Sequence, residues 1–246
     1  LESTKSKHLF DISLPEERDR KALIMGWADN NIGGAIERSL SDRYKDMRIF
    51  GIPHEDMAAE HIGDLHELSS FDTLVLVNGQ THLDWIENQP IEEIMNVVHN
   101  SLTASIVATR EFVSATLSSS YRKHIVYVGS MAYNHVLNAS APYCAAKAGL
   151  AHFAKCMAWE LAPKNYDVFC VHPSNTQGTP MTDKTIRGIM RYRDVSLSDA
   201  YDYWSAVLPK KHWLQPEEIG ECVAALVSGK FQYLSGSPIE LAGGQR

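Results

Sequence analysis

The chain has 246 residues, 44% of them apolar and 22% charged, with a net charge of −7. That length suits one large α/β domain or two small ones and supplies an ample core. The acidic balance argues against a general nucleic-acid binder, and no apolar run approaches the roughly 18 residues of a membrane span, so neither a nucleic acid nor a membrane is an expected partner.

The N-terminus carries no apolar signal region. Residues 1–20 are polar and charged and read as an arm or short leader before the first strand. Short apolar runs then alternate with longer amphipathic ones, the pattern of a parallel sheet with crossover helices. Lys21–Met25 reads as the first strand, ending at Gly26, and Ile32–Tyr44 as a helix with Ile32, Ile36, Leu40 and Tyr44 on one stripe. Met47–Ile52 is the second strand, stopped by Pro53, and Thr73–Val77 is a buried strand ending at Asn78-Gly79. A long helix is predicted from Pro90 to about Leu117, a strand over His124–Val128 and a helix over Pro142–Leu161, which Pro163 stops. A strand over Asp167–Val171, a helix over Pro216–Ser228 and a last strand over Pro238–Leu241 complete the pattern. The expected fold is therefore α/β, a single-domain, doubly wound parallel sheet. The crossover after the second strand is shortened: only Pro53–His61 separate it from the next apolar segment at Ile62-Gly63-Asp64, fewer than a parallel crossover usually needs.

Gly26, Asn78, Ser130 and Pro173 all fall at carboxyl ends of predicted strands. In open α/β sheets that edge is where ligands bind, so residues dispersed in sequence are expected to meet there. Tyr143 and Lys147 are four apart on one predicted helix and share a face. A fixed ammonium beside a phenol favours the phenolate and lowers its pKa. With the hydroxyl of Ser130, the pair forms a site for moving a proton to or from a carbonyl or alcohol oxygen. A bare YxxxK is weak; a serine thirteen residues earlier at a strand end makes it strong. The plain alternative is an interfacial tyrosine beside a solvated lysine.

The segment from Gly26 to Ala35 joins the first strand to a helix. Its glycines suit either the close approach of a pyrophosphate at a helix N-terminus or a simple tight turn. Asn100 lies within the long helix; it either organises the site through a water or Lys147, or faces solvent. Thr182–Trp213 has little strand character, carries Arg187, Arg191 and Arg193, and is placed to cover the site as a lid. The arginines suit an acidic substrate group or, more plainly, a solvated surface. The eleven histidines show no HxxxH or HxH spacing, so no catalytic metal is expected. Cys144, Cys156, Cys170 and Cys222 lack CxxC spacing and read as reduced thiols, which points to a cytoplasmic location.

In this order, the Gly26–Gly33 loop, Asn78-Gly79, Ser130, Tyr143–Lys147 and Pro173–Met181 resemble the short-chain dehydrogenase/reductase family over residues 21–244. The resemblance implies a Rossmann-like fold and an oxidoreductase passing a hydride between a nicotinamide cofactor, NAD or NADP, and a small-molecule carbonyl or alcohol. It implies Tyr143 as acid–base, Ser130 orienting the reacting oxygen, Lys147 holding the nicotinamide ribose and Asn100 supporting a water relay. Gly26, Asn31 and Gly33 would wrap the pyrophosphate and Thr179 would contact the nicotinamide end; Ile32, Asn78, Gly79 and Pro173, with Tyr143 and Lys147, complete the implied cofactor-binding set. The two long helices imply a homodimer or homotetramer.

The chain also departs from the family pattern. Met25 stands where the glycine loop usually begins with threonine, and Asn31 lies near the middle glycine. The end of the second strand reads Ile52-Pro53-His54-Glu55, without the usual Asp or Arg that selects between NAD and NADP. A non-catalytic binding or regulatory protein on the same fold, and an enoyl reductase, are the rival readings.

Overall fold

The computed structural model describes residues 20–26, 32–50 and 65–245. The N-terminal arm before Arg20, the loop containing Asn31, the Ile52–Glu55 stretch and the shortened crossover lie outside the described residues.

Six described strands form one parallel sheet. They are β1 (Lys21–Met25), β2 (Asp46–Phe50), β3 (Thr73–Leu76), β4 (Lys123–Val128), β5 (Tyr166–Pro173) and β6 (Pro238–Leu241), in the order β2-β1-β3-β4-β5-β6. β3 to β5 are buried along their whole length. That is why their sequences read as continuous apolar runs rather than alternating ones.

Alternate residues still serve opposite faces. Leu23, Met25, Leu74, Leu76, Ile125 and Tyr127 pack with Phe112 of α3 (Ala104–Thr116) and Leu150 of α4 (Ala141–Leu161). Ala22, Ile24, Val75, Val126 and Phe169 pack with Ile36 and Leu40 of α1 (Ile32–Leu40) and Val223 of α7 (Pro216–Leu226). α1 and α7 lie in close contact, and a Cβ at Gly220 would come within 2.6 Å of the Ala35 carbonyl oxygen.

The register aligns the carboxyl ends: Met25 lies opposite Leu76, Leu76 opposite Tyr127, Val128 opposite Val171, and Pro173 opposite Leu241. The winding direction reverses between β1 and β3, the position where such sheets open a crevice.

Two helices differ from expectation. α1 ends at Leu40, because the Ser41 hydroxyl donates to the Arg38 carbonyl at 2.8 Å and turns the chain. Tyr44 is buried even so, its hydroxyl 2.8 Å from that of Thr73. The long Pro90–Leu117 helix is interrupted by a π-helical turn, His99–Thr103, between α2 (Ile91–Val98) and α3. There the Asn100 side-chain amide donates to the Asn96 carbonyl at 2.9 Å, inserting into the helical ladder. After β5, α5 (Pro180–Arg193) and α6 (Leu197–Ser205) form most of the segment read as a lid.

Candidate active site at the carboxyl edge

Five of the expected residues, Ser130, Tyr143, Lys147, Asn78 and Gly79, lie around one point above β3 and β4. Ser130 follows β4 and caps a short turn, its hydroxyl accepting from the Ala132 amide at 3.1 Å. That hydroxyl lies beside the phenol of Tyr143 and favours its phenolate. Tyr143 sits in the first turn of α4, which Pro142 opens with its fixed φ. One helical turn on, Lys147 is 2% exposed. Its ammonium donates to the carbonyls of Asn78 (3.1 Å) and Val128 (3.0 Å), and lies 5.9 Å from the Tyr143 ring centroid. Gly79 makes room for it: a Cβ there would be 3.3 Å from the Lys147 Nζ.

The expected effect of Lys147 on Tyr143 needs correction. The phenol is pushed up to about 12 rather than lowered, because burial disfavours the phenolate more than the Ser130 hydroxyl favours it. Burial likewise lowers Lys147 from its usual value to about 8. Tyr143 is therefore protonated throughout the neutral range and is set up to donate a proton. Lys147 serves first as the anchor that ties α4 to the ends of β3 and β4.

The remaining expected residues divide. Gly26 ends β1 at φ +141°, a conformation that disfavours any side chain, and a Cβ there would meet Val77 at 3.1 Å. Gly33 is buried at the start of α1, and Ile32 packs its side chain on the core beneath it. Pro173 closes β5 beside β6. Asn100 is buried but does not reach Lys147; it donates to the Gln80 side chain at 3.0 Å. Thr179 caps α5, accepting from the Thr182 amide at 3.1 Å.

Three residues not assigned a site role from sequence belong here. Gln80 is held to the π turn through both backbone and side chain, its amide and carbonyl each bonded to the Ser101 hydroxyl (3.1 and 3.0 Å). Met181 lies over Tyr143, its sulfur accepting from the phenol at 3.7 Å. His172, beside Pro173 in β5, has Nδ1 3.2 Å from the Ser130 carbonyl and stacks on Tyr133 at 3.9 Å. Burial holds His172 down to about 4, so it is neutral and its Nδ1–H donates to that carbonyl. A Cβ at Gly129 would meet Nδ1 at 2.6 Å, so the imidazole lies tight against the backbone that carries Ser130. A polar residue beside a proline at a strand's carboxyl end was the one available signal.

The family model described as Enoyl-(Acyl carrier protein) reductase matches residues 55–246. The 3-oxoacyl-acyl-carrier-protein reductase FabG of Rickettsia bellii is 27% identical over 244 residues, covering 91% of this chain and 95% of its own. The FabG of Vibrio cholerae is 29% identical over 227 residues, covering 92% and 88%. Among solved structures, actinorhodin polyketide ketoreductase with NADPH superposes with a TM-score of 0.81 at 22% identity, covering 95% of this chain and 99% of its own. At that identity the superposition speaks for the fold alone.

His172 is a positioning residue for Ser130, so His172→Ala should lower kcat about tenfold with KM nearly unchanged. His172→Asn, which keeps a donor, should recover part of the loss. Steady-state kinetics on the three proteins check this; equal kcat values would contradict it.

Proposed function

We propose that this chain, which belongs to the short-chain dehydrogenase/reductase family and is a nicotinamide-dependent oxidoreductase, interconverts a ketone and an alcohol at the Ser130–Tyr143 hydroxyl pair. The observation that carries this reading is the Ser130 hydroxyl beside the buried Tyr143 phenol, one helical turn from a buried ammonium held by two strand-end carbonyls. The bound cofactor, NAD or NADP, supplies or accepts the hydride at the substrate carbon. The described residues fit it: Gly26 and Gly79 present bare backbone on either side of the β1/β3 crevice, where a Cβ would lie 3.1 Å from Val77 and 3.3 Å from Lys147.

A substrate carbonyl oxygen takes the place of the Met181 sulfur against the Tyr143 phenol. Ser130 donates a second hydrogen bond as negative charge develops on that oxygen, and Tyr143 passes it a proton. Lys147 and its two carbonyl partners hold the helix that carries the phenol. Gln80, Asn100 and Ser101 hold the strand-end backbone beside the cofactor. Thr179 and Met181 begin the segment that covers the site, and residues 182–213 act as its lid.

The 3-oxoacyl-acyl-carrier-protein reductases among its relatives make 3-oxoacyl compounds the first substrates to try. The family model's description names an enoyl reductase instead. The Ser130–Tyr143 pair favours the carbonyl reaction, since two donors on one oxygen suit a developing alkoxide.

We also assign a homodimer or homotetramer. Ile91, Met95 and Leu117 along the α2–α3 run and Trp159 on α4 are exposed large apolar side chains on the two long helices. Among the described residues no helix is long and apolar enough to cross a membrane. The cysteines are free thiols, which suits a cytoplasmic setting.

Tyr143→Phe should lower ketone reduction by about a thousandfold or more with the fold intact; an unimpaired rate would favour a non-catalytic role. The pH profile follows from the two shifts. Tyr143 keeps its proton up to about 12, whereas Lys147 loses its charge through about 8. Reductive kcat/KM should therefore be flat below that point and fall above it, and Lys147→Met should remove the step as well as slow the reaction; an unshifted step in Lys147→Met would contradict it. Light scattering should give a dimer or tetramer, and a monomer would refute the assembly.

A further inference from the structure

A second polar feature lies beside the catalytic edge, and nothing in the proton-transfer chemistry uses it. α5 begins at Pro180, next to the Met181 that covers the phenol, and carries Lys184, Arg187, Arg191 and Arg193 against the single carboxylate of Asp183. On a chain whose net charge is −7, that is a concentration of positive charge. Lys184, Arg187 and Arg191 are spaced three and four apart and so share a face. Arg193 is turned away, its guanidinium over the Tyr203 ring at 4.2 Å.

The shared face borders a cleft of about 380 Å³, lined by His82, Leu83, Pro180, Lys184, Arg187 and Arg191, with Gly188 at its base. The cleft is built rather than incidental. A Cβ at Gly188 would lie 2.7 Å from the Leu83 Cβ, so only glycine lets α5 pack this closely on the segment after β3. Arg191 ties the two walls together, donating to the Leu83 carbonyl at 2.6 Å and pairing with Asp84 at 3.7 Å. His82 faces Glu93 at 3.6 Å. The Asp84 amide donates to the Ala139 carbonyl at 2.9 Å, fixing this wall to the loop before α4. Among the described residues, Lys184 and Arg187 have no carboxylate partner, and both are exposed at the cleft.

We propose that this cleft binds an anionic group, a phosphate ester or a carboxylate, on the substrate distal to its carbonyl, with Lys184 and Arg187 as its ligands. This rests on the ketone-reductase reading of the neighbouring site. The helical rise places these cations about 5 to 9 Å along the axis from Met181. An anionic tail held there leaves the ketone at the Ser130–Tyr143 pair. The arginine contributes a planar, forked donor set and the lysine a compact charge, a combination suited to phosphate and carboxylate oxygens.

Binding tests this without turnover. Acetoacetyl-coenzyme A, with phosphates, and acetoacetyl-N-acetylcysteamine, without charge, are titrated into the full-length Tyr143→Phe protein. 4-Oxopentanoate and its methyl ester make the carboxylate pair. A charged member of either pair should bind about tenfold tighter than its neutral partner, and K184A/R187A in the same background should abolish the difference while neutral binding stays unchanged. An advantage confined to the coenzyme A thioester assigns phosphate, and one confined to the keto acid assigns carboxylate; both support the site. Equal binding within both pairs, or an advantage that survives K184A/R187A, overturns it. Whether the unsubstituted protein oxidises NADPH with these ketones is read separately, so failure of the reductase reading is distinguishable from failure of the anion site.

Discussion

A buried ammonium is costly unless its protons are accepted, and the site's geometry depends on how Lys147 meets that demand. Its two carbonyl partners come from the ends of neighbouring strands, Asn78 after β3 and Val128 at the end of β4. The same side chain thereby sets the height of α4 over the sheet and the position of Tyr143 over Ser130. It also packs tightly against Gly79, where a Cβ would lie 3.3 Å from the nitrogen. One helical residue thus binds together three segments that are remote in sequence.

Around that anchor the supporting contacts are short-range and polar. His172 holds the Ser130 backbone from the β5 side, and Gln80 is fastened to the π turn of the long helix. The interruption of that helix at Asn100 is therefore part of the construction. A regular helix would give its backbone groups to one another and present the Asn100 and Ser101 side chains differently to the segment after β3. The Ser130 and Tyr143 hydroxyls thus stand on a strand end and a helix held by these contacts, while Met181 of α5 lies over the phenol.

Much of this was legible in the sequence because two strong periodicities carry it. Fully buried strands read as short apolar runs, and Tyr143 and Lys147 share a helical face by spacing alone. The carboxyl-edge clustering of Gly26, Asn78, Ser130 and Pro173 follows from the alternation of strand and helix. What stayed hidden depends on contacts between distant segments. The Asn100–Gln80 bond, the His172–Ser130 bond and the glycine at 188 have no local signature. The sign of the Tyr143 shift was missed for a different reason: proximity to a cation was visible in the spacing, but the depth of burial that outweighs it was not. Asn31 and the Ile52–Glu55 stretch, on which the choice between NAD and NADP turns, lie outside the described residues.

The account stands on Lys147 being a buried, carbonyl-bound ammonium rather than a solvated one. Following its ¹³Cε resonance through a pH titration, assigned by comparison with Lys147→Met, measures this directly. The structure places the midpoint near about 8. A midpoint at the ordinary lysine value of 10.5 would mean that the side chain is solvated, and the anchoring of Tyr143 over Ser130 would fall with it.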